Sequence, residues 1–177
     1  MWRRIEAHLA EHAPGALAGL AGPAGADEIA EQETRLGFGL PADFAASLAV
    51  HREIAIPGLQ GDAVRHWDVT APASRRDEMD LRSRSAERPG DEIRNDWDWR
   101  PGWMPVTLEP DGSHVVLDLD PGPEGRYGQL VRTDQGVPDG MHAPSRLHVL
   151  SGFAAALEAG HYAYLADRGG LNDTRIR

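Results

Sequence analysis

His8-Leu9-Ala10-Glu11-His12 sets two imidazoles one helical turn apart with a carboxylate beside them. This is the H-x-x-E-H arrangement in which paired histidines bind zinc and the glutamate activates water. The stretch lies within the first dozen residues and is cut short by Pro14, with no long surrounding chain to build a cleft and supply a third ligand. Zinc chemistry is therefore not expected from it. A second candidate is Asp118-Leu119-Asp120, followed by Pro121-Gly122-Pro123. Residues two apart on a strand share a face, so the two carboxylates can converge on a cation, an arginine or the backbone N–H groups of the turn. Turn stabilisation is the commonest role for such aspartates; partner contact and metal binding are the alternatives. The calcium-loop pattern is not met, because its fifth position is Gly122 and its closing glutamate is missing.

Other chemistries fall away by residue type. The 177-residue chain has no cysteine and no lysine, which removes a thiolate nucleophile, a thiolate zinc site, Schiff-base chemistry and a Lys-dependent phosphate loop. No G-x-S-x-G elbow or dinucleotide fingerprint occurs, and the remaining histidines, His51, His66, His114, His142, His148 and His161, are scattered. The expectation is a non-enzymatic protein without a cofactor. The formal charge is −10, and residues 91–124 hold nine acids against Arg94 and Arg100. That balance disfavours nucleic acid, whose partners carry a clustered positive footprint, and suits a basic protein. Within the acidic stretch Trp97 and Trp99 are flanked by Asp96 and Asp98, and they face one side if extended. Together with Asp111, Asp118 and Asp120 they form the expected partner-binding set, because aromatic anchors interleaved with charge resemble interaction hot spots. Trp103 is expected in the core.

The elements that must position these residues read as follows. Trp2, Ile5 and Leu9 predict a first helix stopping before Pro14-Gly15, with a loop over 13–25. A second helix opens at Asp27-Glu28-Ile29 and ends at Gly37; a third starts at Pro41, carries Phe44 and Leu48 on one face and ends near His51. One or two short strands are expected between Ile54 and Val69, and a solvated helix over 74–85. Trp103–Leu108 reads as a strand, joined by Glu109-Pro110-Asp111-Gly112 to a second over Val115–Leu119. A rigid, acidic turn leads to a third strand over Gly128–Thr133. A further strand is expected around Arg146–Leu150, then a helix capped by Ser151 that breaks at Gly160 into a second helical piece. Helices, a meander of strands and helices again make an α+β domain whose antiparallel sheet is covered on one side. The length fits one domain over 1–177. No apolar leader follows Met1-Trp2-Arg3-Arg4 and no run is long enough to span a membrane. With no cysteine, a cytoplasmic location is expected.

Four segments in order carry a family resemblance: Ile29 through Leu36-Gly37-Phe38-Gly39-Leu40-Pro41 to Phe44, Pro101-Gly102-Trp103-Met104-Pro105-Val106, Asp118-Leu119-Asp120-Pro121-Gly122-Pro123 through Gly128-Gln129, and Leu157-Glu158-Ala159-Gly160-His161-Tyr162. With these the chain resembles the SUKH superfamily over roughly residues 27–165. That superfamily groups fungal cell-wall assembly regulators with bacterial proteins that include immunity proteins of polymorphic toxin systems. The resemblance implies a recognition scaffold, with an immunity-type protein holding a basic toxin domain as the leading expectation and a regulatory scaffold without a toxin partner as the second. The chain departs from the family after the third helix, where His51-Arg52-Glu53-Ile54 stands in place of a small Asn/Asp-Gly turn.

Overall fold

A computed structural model describes residues 1–56, 58, 59, 93, 100–107, 113–134 and 137–175. The N-terminal helix α1, Trp2–His12, buries Trp2, Ile5 and Leu9 on one face. It ends where Ala13 leaves helical geometry and Pro14 cannot supply the next donor. Pro14 does not lead into a plain loop as expected. It is pre-set for a first helical position and starts a further turn, α2, Pro14–Leu17. Helix α3, Ala26–Leu36, carries Asp27 and Glu28 at its positive end, and the Glu28 carboxylate accepts from the Gly25 N–H at 2.7 Å. Gly37 closes it in the left-handed region at φ 74°. Helix α4, Ala42–Leu48, follows Pro41 and buries Phe44 and Leu48. The His51–Ile54 departure runs beside residues 19–22, pairing Ala21 N with Glu53 O and Arg52 N with Gly22 O, and bridging Leu20 to Ile54.

Strands β1 (Trp103–Pro105), β2 (His114–Asp118), β3 (Gln129–Asp134) and β4 (Val137–Ala143) form one antiparallel sheet in chain order. The meander is thus as expected, with β4 added. Pro138 and Gly140 obscure β4 in the sequence, and two register shifts against β3 accommodate them. Helix α5, Arg146–Glu158, begins where a strand was expected, and its cap is Ser145, which accepts from the His148 N–H, instead of Ser151. Arg146-Leu147-His148-Val149-Leu150 imitates period-two alternation, but the buried set Leu150, Phe153, Ala154 and Leu157 has helical spacing. The chain does break at Gly160, at φ 73°. It then forms a hairpin of β5 (Tyr162–Leu165) and β6 (Gly170–Asp173) where a helical piece was expected. Residues 74–85, most of the 54–69 stretch and the 109–112 turn lie outside the described residues.

Two large apolar clusters result. Met104, Val115, Leu117, Leu119 and Leu130 on one face of the sheet pack with Leu36, Phe44 and Leu48 of α3 and α4. Trp2, Ile5 and Leu9 of α1 pack with Ile54, Ile56, Leu59, with Leu150, Phe153 and Leu157 of α5, and with Leu171 of β6. The other face of the sheet is not bare. Trp103, Val116 and Val131 are buried there with Ile93, which corrects the expectation of a sheet covered on one side. Trp103 is core, as expected.

Candidate functional site

The hairpin between β2 and β3 is built on a row that crosses three strands. Trp103 pairs with Asp118 and Asp118 with Gln129, so the three side chains share the face opposite α3 and α4. Asp118 is fully buried. One carboxylate oxygen accepts from Gln129 Nε2 at 2.9 Å and the other from the Asp120 N–H at 3.1 Å. Burial pushes the Asp118 carboxyl above its ordinary value, while the bonds from Gln129, the Asp120 backbone and the Trp103 side chain pull the other way. Of the three roles open for Asp118, this geometry is the turn-holding one. Gln129 is held in turn, because its Oε1 accepts from the Arg126 N–H at 2.9 Å.

Asp120 lies at the edge of this arrangement, half-buried, with Oδ2 3.1 Å from Nη1 of the buried Arg100. Gly102 passes so close that a Cβ there would lie under 3.0 Å from the Asp120 side chain. The Asp118/Asp120 pair therefore addresses the turn backbone and an arginine. Trp97, Trp99, Asp96, Asp98 and Asp111 lie outside the described residues.

The far end of the hairpin is clamped to the turn between α3 and α4. Tyr127 donates its hydroxyl to the Gly39 carbonyl at 2.5 Å. Gly128, at φ 83°, lies so close on Pro41 that no Cβ would fit. Glu33 accepts from the Leu40 N–H at 2.7 Å and braces the same turn. Burial and the nearby Glu33 charge both raise the Tyr127 phenol above its ordinary value. Two of the four motif segments thus meet in space, and between them Tyr127 remains 46% exposed. The sequence reading missed Tyr127; its position between Gly125 and Gly128 at a hairpin end was the available signal. Around it Pro123, Glu124 and Arg126 are exposed.

The zinc-like pattern on α1 does not assemble a site. The His8 and His12 rings lie 4.5 Å apart and Glu11 approaches His12 at 3.7 Å. Burial and the His12 neighbour hold His8 below its ordinary value. No group of three or more histidines and carboxylates among the described residues is placed to hold a metal. Among those residues, too, no helix is long and apolar enough to cross a membrane.

A second concave feature was not anticipated. Helices α1, α4 and α5 enclose a cleft of about 570 Å³. Beneath it Ser47 Oγ accepts from Trp2 Nε1 at 3.2 Å and from Arg146 Nε at 3.4 Å. The Arg146 guanidinium lies over the Phe44 ring and is depressed to about 10 by burial, which the Asp43 charge partly offsets. Asp43 also accepts from the Leu147 N–H at 2.9 Å, tying α4 to the start of α5.

Comparison with known proteins agrees with these motif positions. The SMI1/KNR4 family (SUKH-1) model matches residues 23–158. The cell wall assembly regulator SMI1 of Saccharomyces cerevisiae is 35% identical over 68 residues, 38% of this chain and 13% of that protein. The KNR4/SMI1 homolog of Kluyveromyces lactis is 47% identical over 30 residues, 17% of this chain and 6% of that protein. The homolog of Eremothecium gossypii is 45% identical over 31 residues, 18% and 5% respectively. Each match spans a small part of the fungal relative. With the family model covering most of its length, the chain belongs to the SMI1/KNR4 (SUKH-1) family.

Proposed function

We propose that this chain is a non-catalytic protein-binding domain, most concretely an immunity-type protein that neutralises a basic toxin domain by direct contact in the cytoplasm. The observation that carries this reading is Tyr127, an aromatic side chain half exposed yet fixed by the Gly39 bond on a clamped hairpin. A rigid amphipathic ring gives contact area at little cost in ordering, which is how interface anchors work. The charge of −10 favours encounter with a basic partner. Trp97, Trp99, Asp96, Asp98 and Asp111 are the proposed further contacts, with Asp120 at the rim and Asp118 acting from beneath as a positioning residue. A regulatory module without a toxin partner is the second reading, favoured by the name of the yeast relative, a cell wall assembly regulator.

Co-expression with the product of the adjacent open reading frame, followed by pull-down and growth rescue, tests the proposal. Rescue by the wild type, lost in Tyr127→Ala and in Trp97→Ala/Trp99→Ala while both variants unfold cooperatively, is the expected result. Capture without rescue favours the regulatory reading. Rescue and capture unchanged in both variants would remove the site assignment.

A further inference from the structure

The cleft between α1, α4 and α5 has the composition of a docking groove. Five large apolar side chains are exposed among the described residues, and three of them, Met1 at 38%, Val50 at 37% and Leu147 at 52%, line this one cleft. Trp2, Leu150 and Ser47 also line it, and all three are buried. Ordinary surfaces scatter such residues; gathered around a concavity they mark a contact site. The floor is stiff, since Trp2, Ser47 and Arg146 are joined by hydrogen bonds and Asp43 fixes the α4–α5 angle through Leu147.

Charge indicates the occupant. Glu6 from α1 and Asp43 from α4 line the cleft against one cation, Arg3. The hydrogen bonds to these two acids engage Glu6 Oε1 with His51 and Asp43 Oδ2 with Leu147. Two carboxylates against one guanidinium, in a chain of net charge −10, favour a cationic group beside the apolar anchors. We propose that the cleft receives a segment of a partner protein carrying two large apolar side chains one helical turn apart and an adjacent arginine or lysine, with the apolar pair between Val50 and Leu147 and the cation at Asp43 and Glu6. This mode is that of an amphipathic segment in a groove. It rests on the protein-binding reading and adds a surface separate from the hairpin.

The test is selection of a phage-displayed library of random 16-residue peptides on the full chain, with counter-selection on Val50→Glu/Leu147→Glu. Survivors are synthesised and titrated by amide and indole NMR shifts. The expected survivors combine apolar residues at i, i+3 or i+4 with Arg or Lys. Their shifts should centre on the Trp2 indole, Ser47 and Val50. Their affinity should fall tenfold or more in Leu147→Glu and several-fold in Asp43→Asn, which keeps an acceptor for the Leu147 N–H. A thermal melt establishes that both variants are folded. Survivors that are acidic, that bind Asp43→Asn equally, or that shift residues elsewhere would overturn the proposal, as would no survivors. So would concentration-dependent dimerisation that Leu147→Glu abolishes, which assigns the groove to a second copy. Because the hairpin is read by rescue in the Tyr127 and tryptophan variants, failure of the cleft and failure of the functional reading are distinguishable.

Discussion

Replacing Gly128 by alanine should destabilise the chain far more than replacing Gly37, although both glycines have left-handed backbones, at φ 83° and 74°. Alanine in that region costs roughly 1–2 kcal/mol at either position. The loss of chain entropy in the unfolded state offsets part of this, about 0.4–1 kcal/mol, and equally for both. The difference lies in the surroundings: a Cβ at Gly37 meets nothing within 4 Å, whereas one at Gly128 would be forced into the Pro41 ring under 3.0 Å. Overpacking of that kind adds about 1–3 kcal/mol, so Gly128→Ala should cost about 1–3 kcal/mol more than Gly37→Ala. Urea unfolding followed by tryptophan fluorescence, compared at constant slope, measures it. A Pro41→Ala partner substitution should recover part of the loss in Gly128→Ala and none in Gly37→Ala, since coupling is confined to residues in contact. Equal costs at the two glycines, or no recovery, would refute the clamp between the hairpin and the α3–α4 turn.

Asp118→Asn keeps one acceptor where the carboxylate has two, so it should cost about 1 kcal/mol in the loss of the Gln129 or Asp120 bond. Because burial raises the folded Asp118 carboxyl, the folded chain holds a proton that the unfolded chain has released in the window just above the ordinary carboxylate value. Its contribution to stability therefore falls as pH rises through that window. The wild-type advantage over Asp118→Asn should narrow with rising pH in denaturation at several pH values, and widening would contradict the raised value. Tyr127→Phe should remove the highest-titrating phenol of the three in a spectrophotometric titration and cost about 0.5–1 kcal/mol for the Gly39 bond. Ser145→Ala should cost about 1 kcal/mol by uncapping α5, whereas Ser151→Ala should be near neutral by the same unfolding measurement.

The sequence was most readable where local chemistry dictates geometry. The acidic first turn and Gly37 delimit α3, Pro41 starts α4, and the Pro-Gly-rich turn between two apolar runs makes the β2–β3 hairpin. It was least readable where tertiary packing overrides the local pattern. Arg146–Leu150 alternates like a strand, yet Leu150 and Leu157 face α1 only if the segment is helical. Residues 162–173 lack the two-residue turn of a clear hairpin, and their pairing is fixed by burial of Leu171. The Asp118/Asp120 pair was legible as a pair, and that Asp118 turns inward depends on Gln129, eleven residues away. The cleft was illegible because Met1, Val50 and Leu147 belong to three separate helical regions that only the fold brings together.

The family match stops at residue 158 and starts at 23, but the cluster around α5 ignores those limits. Trp2, Ile5, Leu9, Ala13 and Ala16 come from before the match and Leu171 from after it. Both tails are stitched together, with Gly15 lying so near Tyr164 and Gly169 that no larger residue fits. Trimming to residues 23–158 would strip this shell and leave Leu150, Phe153 and Leu157 facing water, inviting self-association of a polypeptide that carries every signature motif but lacks half of its packing.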